Sequence, residues 1–382
     1  MFRDEVDMKS YTLKDACYIT TGKLDANQSI KNGIYPFFTC AEFPDAINTY
    51  AFDCDAVLVA GNNARGNFHV NRYKGKFNAY QRTYVLTSKE NFDIDFIFYS
   101  LKLELKRLKE KSQGSQTKFL TLPILQNIHF SSILINEQKS IAAVLSALDK
   151  KIALNKQINA RLEEMAKTLY DYWFVQFDFP DANGKPYKSS GGEMVFDETL
   201  KREIPKGWEV KSLGDWAEIR KGTLITEKTA NTNGDIKVIS AGVDFSYYHD
   251  VANRPKNTIT ISASGANAGF VNFWREPIFA CDCTTITNSV IGRTLYILNF
   301  LKIVQDFIYQ QARGSAQPHV YPKDIEGLKI IVPPDSLLKN FSEFVDNWNL
   351  KIANNEKQNH QLTQLRDFLL PMLMNGQVSV AE

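Results

Sequence analysis

Cysteine is scarce: Cys17, Cys40, Cys54, Cys281 and Cys283 are the five in 382 residues. Their number is odd and no C-x-x-C pair occurs, which argues against a disulfide framework and against a cysteine-built zinc site. Long apolar runs are missing as well, none approaching the roughly 18 residues that span a bilayer. The opening stretch, MFRDEVDMKSYTLKD, has no apolar core of the kind a secretory signal needs. The expectation is a cytoplasmic, soluble chain with no membrane contact. Net charge is almost absent, since 45 Lys and Arg against 43 Asp and Glu leave +2. An unpatterned polybasic nucleic-acid coat is thereby disfavoured, while a basic face offset by an acidic one stays open.

Catalytic signatures are also lacking. There is no G-x-x-x-x-G-K-[ST] phosphate loop, no H-E-x-x-H and no G-x-S-x-G, and the five histidines lie far apart. An amino-methyltransferase needs an Asn/Asp-Pro-Pro-aromatic turn against its target base. The only Pro-Pro pair, Pro333-Pro334, sits in Val-Pro-Pro-Asp and does not match. Asp181, Glu193 and Lys185 can be forced into a nuclease-like pattern, but they fall in a Gly/Pro-rich stretch. The expectation is a chain that is not an enzyme on its own and binds no metal.

What is present is enough to fold. At 44% hydrophobic, 23% charged and 12% aromatic, the chain can build ordinary cores. At about 150 residues per domain it suggests two or three folding units.

The chain is written twice. At a shift of 200 residues Leu13, Asp15, Ile19 and Gly22 match Leu213, Asp215, Ile219 and Gly222. So do Gly114-Ser115 and Gly314-Ser315, Lys151-Ile152-Ala153 and Lys351-Ile352-Ala353, and Asn155 and Asn355. Blocks agreeing along a whole chain are the mark of a duplication. Each half opens with some 130 residues mixing short strand-like runs, such as Ala56–Ala60 and Thr258–Ser262, with Gly and Asn turns.

A long helical pattern then follows. Ile141, Leu145, Leu148, Ile152, Leu162, Leu169 and Trp173 recur at spacings of three and four or their sums. Phe341, Val345, Trp348, Ile352, Leu362, Leu369 and Leu373 do the same in the second half. The first pattern has no Pro or Gly over Glu137–Phe177; the second is expected to start after Pro333-Pro334 and to be disturbed at Pro371. Heptad-like spacing over about 35 residues predicts a coiled-coil seam about 50 Å long. One such seam has little to bury itself against except the other. Asn155 and Asn159 fall on the first seam, Asn355 and Asn359 on the second. If the helices run antiparallel about a pseudo-twofold axis, these four meet and fix register; the alternative is a solvated gap where the helices splay. Two related domains held a fixed distance apart form a caliper. It suits duplex DNA, whose major groove recurs about every 34 Å, and it equally suits a non-enzymatic adaptor joining two protein partners.

Three blocks carry a resemblance. Ile135-Asn-Glu-Gln-Lys-Ser-Ile-Ala-Ala-Val-Leu-Ser-Ala-Leu-Asp149, with Leu169-Tyr-Asp-Tyr-Trp173-Phe-Val, resembles the central region of type I restriction–modification specificity subunits. Glu203-Ile-Pro-Lys-Gly-Trp208-Glu-Val-Lys-Ser-Leu-Gly214 resembles the entry to their second recognition domain. Ala312-Arg-Gly-Ser-Ala-Gln-Pro-His-Val-Tyr-Pro-Lys-Asp-Ile325, followed by Ile331-Val-Pro-Pro334, resembles its exit. The resemblance implies a mixed α+β architecture with two α/β target-recognition domains, 1–135 and 208–334, separated by an antiparallel helical pair. A central long helix would span 136–177, a linker 178–207 and a C-terminal long helix 335–376. It further implies binding to double-stranded DNA and to two modification subunits, with restriction subunits joining in many systems. S-adenosylmethionine would bind the modification partner rather than this chain.

Base edges are read by Arg, Lys, Asn and Gln, and phosphates are held by Lys, Arg, Ser and Thr. The densest group in the first half is Asn62, Asn63, Arg65 and Asn67, flanked by Gly61 and Gly66. Ser264 and Asn267 are its counterpart in the second half, without the arginine. A second pair of loops carries Lys111, Gln113, Ser115, Gln116 and Lys118 in the first half and Arg313, Ser315, Gln317 and His319 in the second. A plain capped turn is the alternative for the first pair, and a solvated loop approaching the long helix for the second. Lys74, Lys76, Arg82, Lys221, Arg254 and Arg275 are weaker candidates, since scattered surface cations are common. The aromatic group Tyr170, Tyr172, Trp173, Phe174 and Phe177 reads as packing against a domain or partner rather than as a base-stacking surface.

Overall fold

A computed structural model describes residues 10–62, 68–111, 119–131, 133–231, 233–288, 290–312 and 318–380. The chain divides into two compact units. Unit 1 holds the stretch through Leu154 together with the stretch from Gln358 onward; unit 2 is Asn155–Lys357. Each long helix is therefore shared between units, a division finer than helix against domain.

In unit 1, β1 (Ser10–Thr12), α1 (Leu13–Ala16) and β2 (Cys17–Thr21) lead to β3 (Tyr35–Phe38), β4 (Asp45–Ile47), β5 (Phe52–Ala60), β6 (Val70–Ala79) and β7 (Thr83–Ser88). After them come α2 (Ile94–Lys111), α3 (Leu122–Gln126), β8 (His129–Ser131) and α4 (Ile135–Tyr170), whose first part lies in this unit. The main sheet has the order β2-β7-β5-β6-β3-β4, and β1 pairs with β8 apart from it. The buried end of β5 reads as a continuous apolar run because both faces of the sheet are covered. Alternate residues go to different cores. Val57 and Val59 join Phe96, Ile97 and Leu101 of α2, whereas Ala56 and Leu58 join Phe38, Phe77 and Val85.

Unit 2 repeats this plan. After α4 come β9 (Met194–Asp197), β10 (Arg202–Pro205), β11 (Glu209–Ser212), α5 (Leu213–Trp216), β12 (Glu218–Lys221), β13 (Ile236–Ile239), β14 (Tyr247–His249), β15 (Thr258–Ser262), β16 (Val271–Trp274), β17 (Ile278–Ala280) and β18 (Cys283–Thr287). Helices α6 (Ile291–Ile303), α7 (Gln305–Gln311) and α8 (Pro322–Glu326), strand β19 (Lys329–Val332) and helix α9 (Asp335–Met374) complete it. The sheets are β12-β18-β15-β16 and β14-β13-β17, with β11 paired to β19. Joining β16 to β17 reproduces the strand order of unit 1. There the ten-residue β6 is antiparallel to β5 and then parallel to β3. Its counterpart is broken at Pro277, which lacks the N–H a ladder needs.

The duplication extends to single bonds. Leu13 N–H donates to Ile128 O at 2.9 Å, and Leu213 N–H to Leu328 O at 2.8 Å. Both leucines are fully buried.

Within each unit the two long-helix segments run antiparallel. In unit 2 Asn355 Nδ2 donates to Asn159 Oδ1 at 2.7 Å, and further along Trp173 packs on Phe341 with ring centres 6.1 Å apart. In unit 1 Arg366 Nη1 donates to Asp149 Oδ1 at 2.7 Å, while Leu373 and Met374 share a core with Ile141 and Leu145. A π-helical segment, Asp171–Val175, ends α4. It turns Trp173 and Phe174 into the unit 2 core alongside Tyr170, Phe177 and Tyr296, so four of the five aromatics are domain packing, while Tyr172 is exposed. Such ring pairs add about 1 kcal/mol each beyond the area they bury.

Pro371 lies inside α9, which continues to Met374. So close to the C-terminus its missing N–H removes a single helical bond. One sequence expectation is corrected. The segment 178–207 is folded rather than an open linker: β9 and β10 form an antiparallel hairpin. Asp178 accepts from the Ser189 amide and hydroxyl, and Phe179 stacks between Tyr187 and Trp208. Among the described residues no helix is long and apolar enough to cross a membrane.

Candidate nucleic-acid interface

Where β5 ends, Gly61 and Asn62 lie beside the turn between β6 and β7. Gly61 N–H donates to Arg82 O at 2.8 Å, Leu120 N–H donates to Gly61 O at 2.9 Å, and Asn62 forms a bridge with Phe119. Unit 2 builds the same corner at the end of β15. Ala263 N–H donates to Asp282 O at 3.2 Å, Val320 N–H to Ala263 O at 3.0 Å, and Ser264 bridges His319. The two polar loops of each half, chosen separately from composition, thus have their ends joined at one corner of each unit. Regular backbone pairing fixes that corner, because the amides leaving β5 and β15 must find carbonyls once the ladder stops.

Asn62, half-buried, sits at the unit 1 corner. Asn63, Arg65, Asn67, Gln113, Ser115, Gln116, Lys118, Arg313, Ser315 and Gln317 lie outside the described residues, and so does the side chain of Lys111, which closes α2. Asn267 is exposed at the end of the short 3-10 turn Gly265–Asn267. Gly265 holds φ +77 there, a left-handed conformation that glycine adopts without strain. His319 is half-buried, its ring stacked 6.1 Å from that of the exposed Tyr321.

Two candidates are withdrawn. Ser264 is buried and its hydroxyl donates to Asp282, so it orients a neighbour rather than meeting a base. Arg275, only 10% exposed, has its whole guanidinium engaged within unit 2. Nε donates to Asn349 Oδ1, Nη1 to Glu356 Oε1 and Nη2 to Glu163 Oε1, each at 2.9 Å. It clamps α4 to α9. Arg254 is also structural, bonded to Thr285 Oγ1, Asn253 O and Lys221 O. On the seam, Asn155 and Asn355 are buried rather than opened to a solvated gap, and Asn359 is half-buried.

Sequence reasoning missed a row of cations on α2. Lys102, Lys106 and Lys109 line an open groove of about 470 Å³ with Phe43, His69 and Asn71. Their spacing of four and three residues places them on one helix face, so a helical projection of Ile94–Lys111 would have found them. Burial pushes the Lys102 ammonium down from its usual range, and Nζ lies 4.3 Å from the Phe98 ring centre. Burial pushes the Cys17 and Cys283 thiols up to about 12, so neither is a nucleophile at neutral pH. Among the described residues no group of three or more His, Cys, Asp or Glu is placed to hold a metal.

Comparison with known proteins agrees with this layout. The model of the type I restriction modification DNA specificity domain matches residues 5–164 and again 205–364, the spacing of the internal repeat. The type I restriction enzyme EcoDI specificity subunit of Escherichia coli is 39% identical over 164 residues, 43% of this chain and 35% of that protein. The MjaIX specificity subunit of Methanocaldococcus jannaschii is 28% identical over 317 residues, 77% of this chain and 71% of that one. This chain thus spans little more than a third of the length of the first relative. The crystal structure of a type I restriction-modification system S subunit from M. genitalium has the same fold, with a TM-score of 0.62 at 17% identity and 98% of each chain covered. Both repeats are matched, and the chain belongs to the family of type I restriction modification DNA specificity domains.

Proposed function

We propose that this chain is the sequence-reading subunit of a type I restriction–modification complex and recognises an asymmetric, split DNA target. Each repeat would read one half of the target, and the helical segments would dock two modification subunits, with restriction subunits joining where the system has them. The observation that carries this reading is the duplicated corner, identical in backbone bonding and different in side chains. Two folds of one plan with different reading surfaces suit a site whose halves differ. The chain would perform no chemistry itself; S-adenosylmethionine would be bound by the modification partner, which carries out methyl transfer.

Methylation mapping of host DNA with and without this chain tests the proposal. The expected result is one bipartite motif, methylated only when the chain is present. Purified chain alone, given duplex DNA and S-adenosylmethionine, should transfer no methyl groups. Two outcomes reject the reading: unaided methylation, or a complex with modification subunits that binds no DNA and serves only as a helical adaptor.

A further inference from the structure

The corner is built from the same three backbone links in both units, yet its side chains differ in sign of charge. Arg82 and Asp282 occupy corresponding places, since each offers the carbonyl that receives the amide leaving the central strand. Arg82 is exposed and its guanidinium lies 5.9 Å from the centre of the Phe119 ring, itself 54% exposed. Among the described residues no acceptor takes a hydrogen bond from it. An arginine over an open aromatic face is attracted to it while its N–H donors stay directed to other acceptors. In unit 2 the half-exposed Asp282 accepts from the Ser264 hydroxyl through Oδ2, which leaves Oδ1 without a partner among the described residues.

The inversion of charge identifies the surface these groups face. If the corner met phosphates, Asp282 would set a carboxylate against an anion. Base edges are the part of a duplex where either sign finds a complement. An arginine donates to the N7 and O6 acceptors of guanine, and a carboxylate accepts from the N4 amino group of cytosine. We infer that Arg82 and Asp282 are equivalent base-reading residues, Arg82 selecting a guanine in one half of the target and Asp282 a cytosine in the other. This rests on the reading of the chain as a DNA-recognition subunit. Phe119 and Ser264 act as positioning residues, one attracting the guanidinium to its ring and the other bonded to the carboxylate.

The test uses the full chain assembled with its modification subunits, and a duplex library randomised at every position. Wild-type complex, Arg82→Gln and Asp282→Asn are each used for selection, and the enriched sequences are read. Arg82→Gln should lose about tenfold to a hundredfold of its preference for guanine at one position of one half-site, with the other half-site unchanged. Asp282→Asn should do the same to a cytosine in the other half-site. Arg82 is exposed, so its variant keeps the fold and decides the matter even if Asp282→Asn does not. Variants that select the wild-type motif at every position overturn the inference, even if they bind more weakly. A wild-type complex that enriches no motif rejects the proposed function instead.

Discussion

Gly22 and Gly222 occupy the same place in the two units. A Cβ on Gly22 would stand 1.9 Å from Ala79 O, and one on Gly222 would stand 2.0 Å from Cys281 O. Both obstacles are backbone, so neither can rotate away. Gly22→Ala and Gly222→Ala should each destabilise the protein by about 3 kcal/mol, the upper end for overpacking, as read by chemical denaturation. An alanine tolerated at either position would mean that the strand end can shift. This pair also explains what could be read from the sequence at this scale. Gly22 and Leu13 recur at a fixed shift because backbone approach and full burial each admit few residue types. Arg82, named from the sequence only as a scattered cation, and Asp282 were not paired by the same comparison, because a search for identities passes over positions at which the two copies differ.

At the level of elements, hydrophobic spacing located α4 and α9, since a seam of threes and fours has a single helical solution. It could not foresee that Arg275, at the break between β16 and β17, would leave the sheet edge and join them. That link depends on a tertiary approach and has no local signal; an arginine before Glu-Pro reads as an ordinary exposed turn. Removing it leaves Asn349 Oδ1 without its donor, although Nδ2 still donates to Asn257 Oδ1, and leaves Glu163 and Glu356 without the cation between them. Both carboxylates are half-exposed, so water recovers part of the loss. Arg275→Ala should therefore cost about 2 kcal/mol, measured as a lower unfolding midpoint. The salt dependence of DNA binding should remain that of the parent. A slope reduced by about one phosphate contact would return Arg275 to the DNA-binding residues.

Taken whole, the molecule has a net charge of only +2, so attraction to DNA has to come from local patches rather than from a general field. The row on α2 supplies one in unit 1. At the corresponding shift of 200, unit 2 carries Lys302, Asp306 and Tyr309 in place of Lys102, Lys106 and Lys109, so this patch is not duplicated. Phosphate contacts should accordingly be concentrated on the first unit, while base reading is shared by both. Each phosphate neutralised by a cation contributes about 0.9 to the slope of log K against log salt on duplex DNA. Lys106→Ala combined with Lys109→Ala should then flatten that slope by roughly two units. Affinity should fall equally for cognate and unrelated duplexes, because phosphate contacts carry no sequence information. Replacing Asp306 and Tyr309 with lysine provides the converse, a steeper slope with an unaltered motif. If the α2 double variant keeps the parent slope, the lysine row faces away from DNA, and the grip on the backbone must come from other elements of the two units.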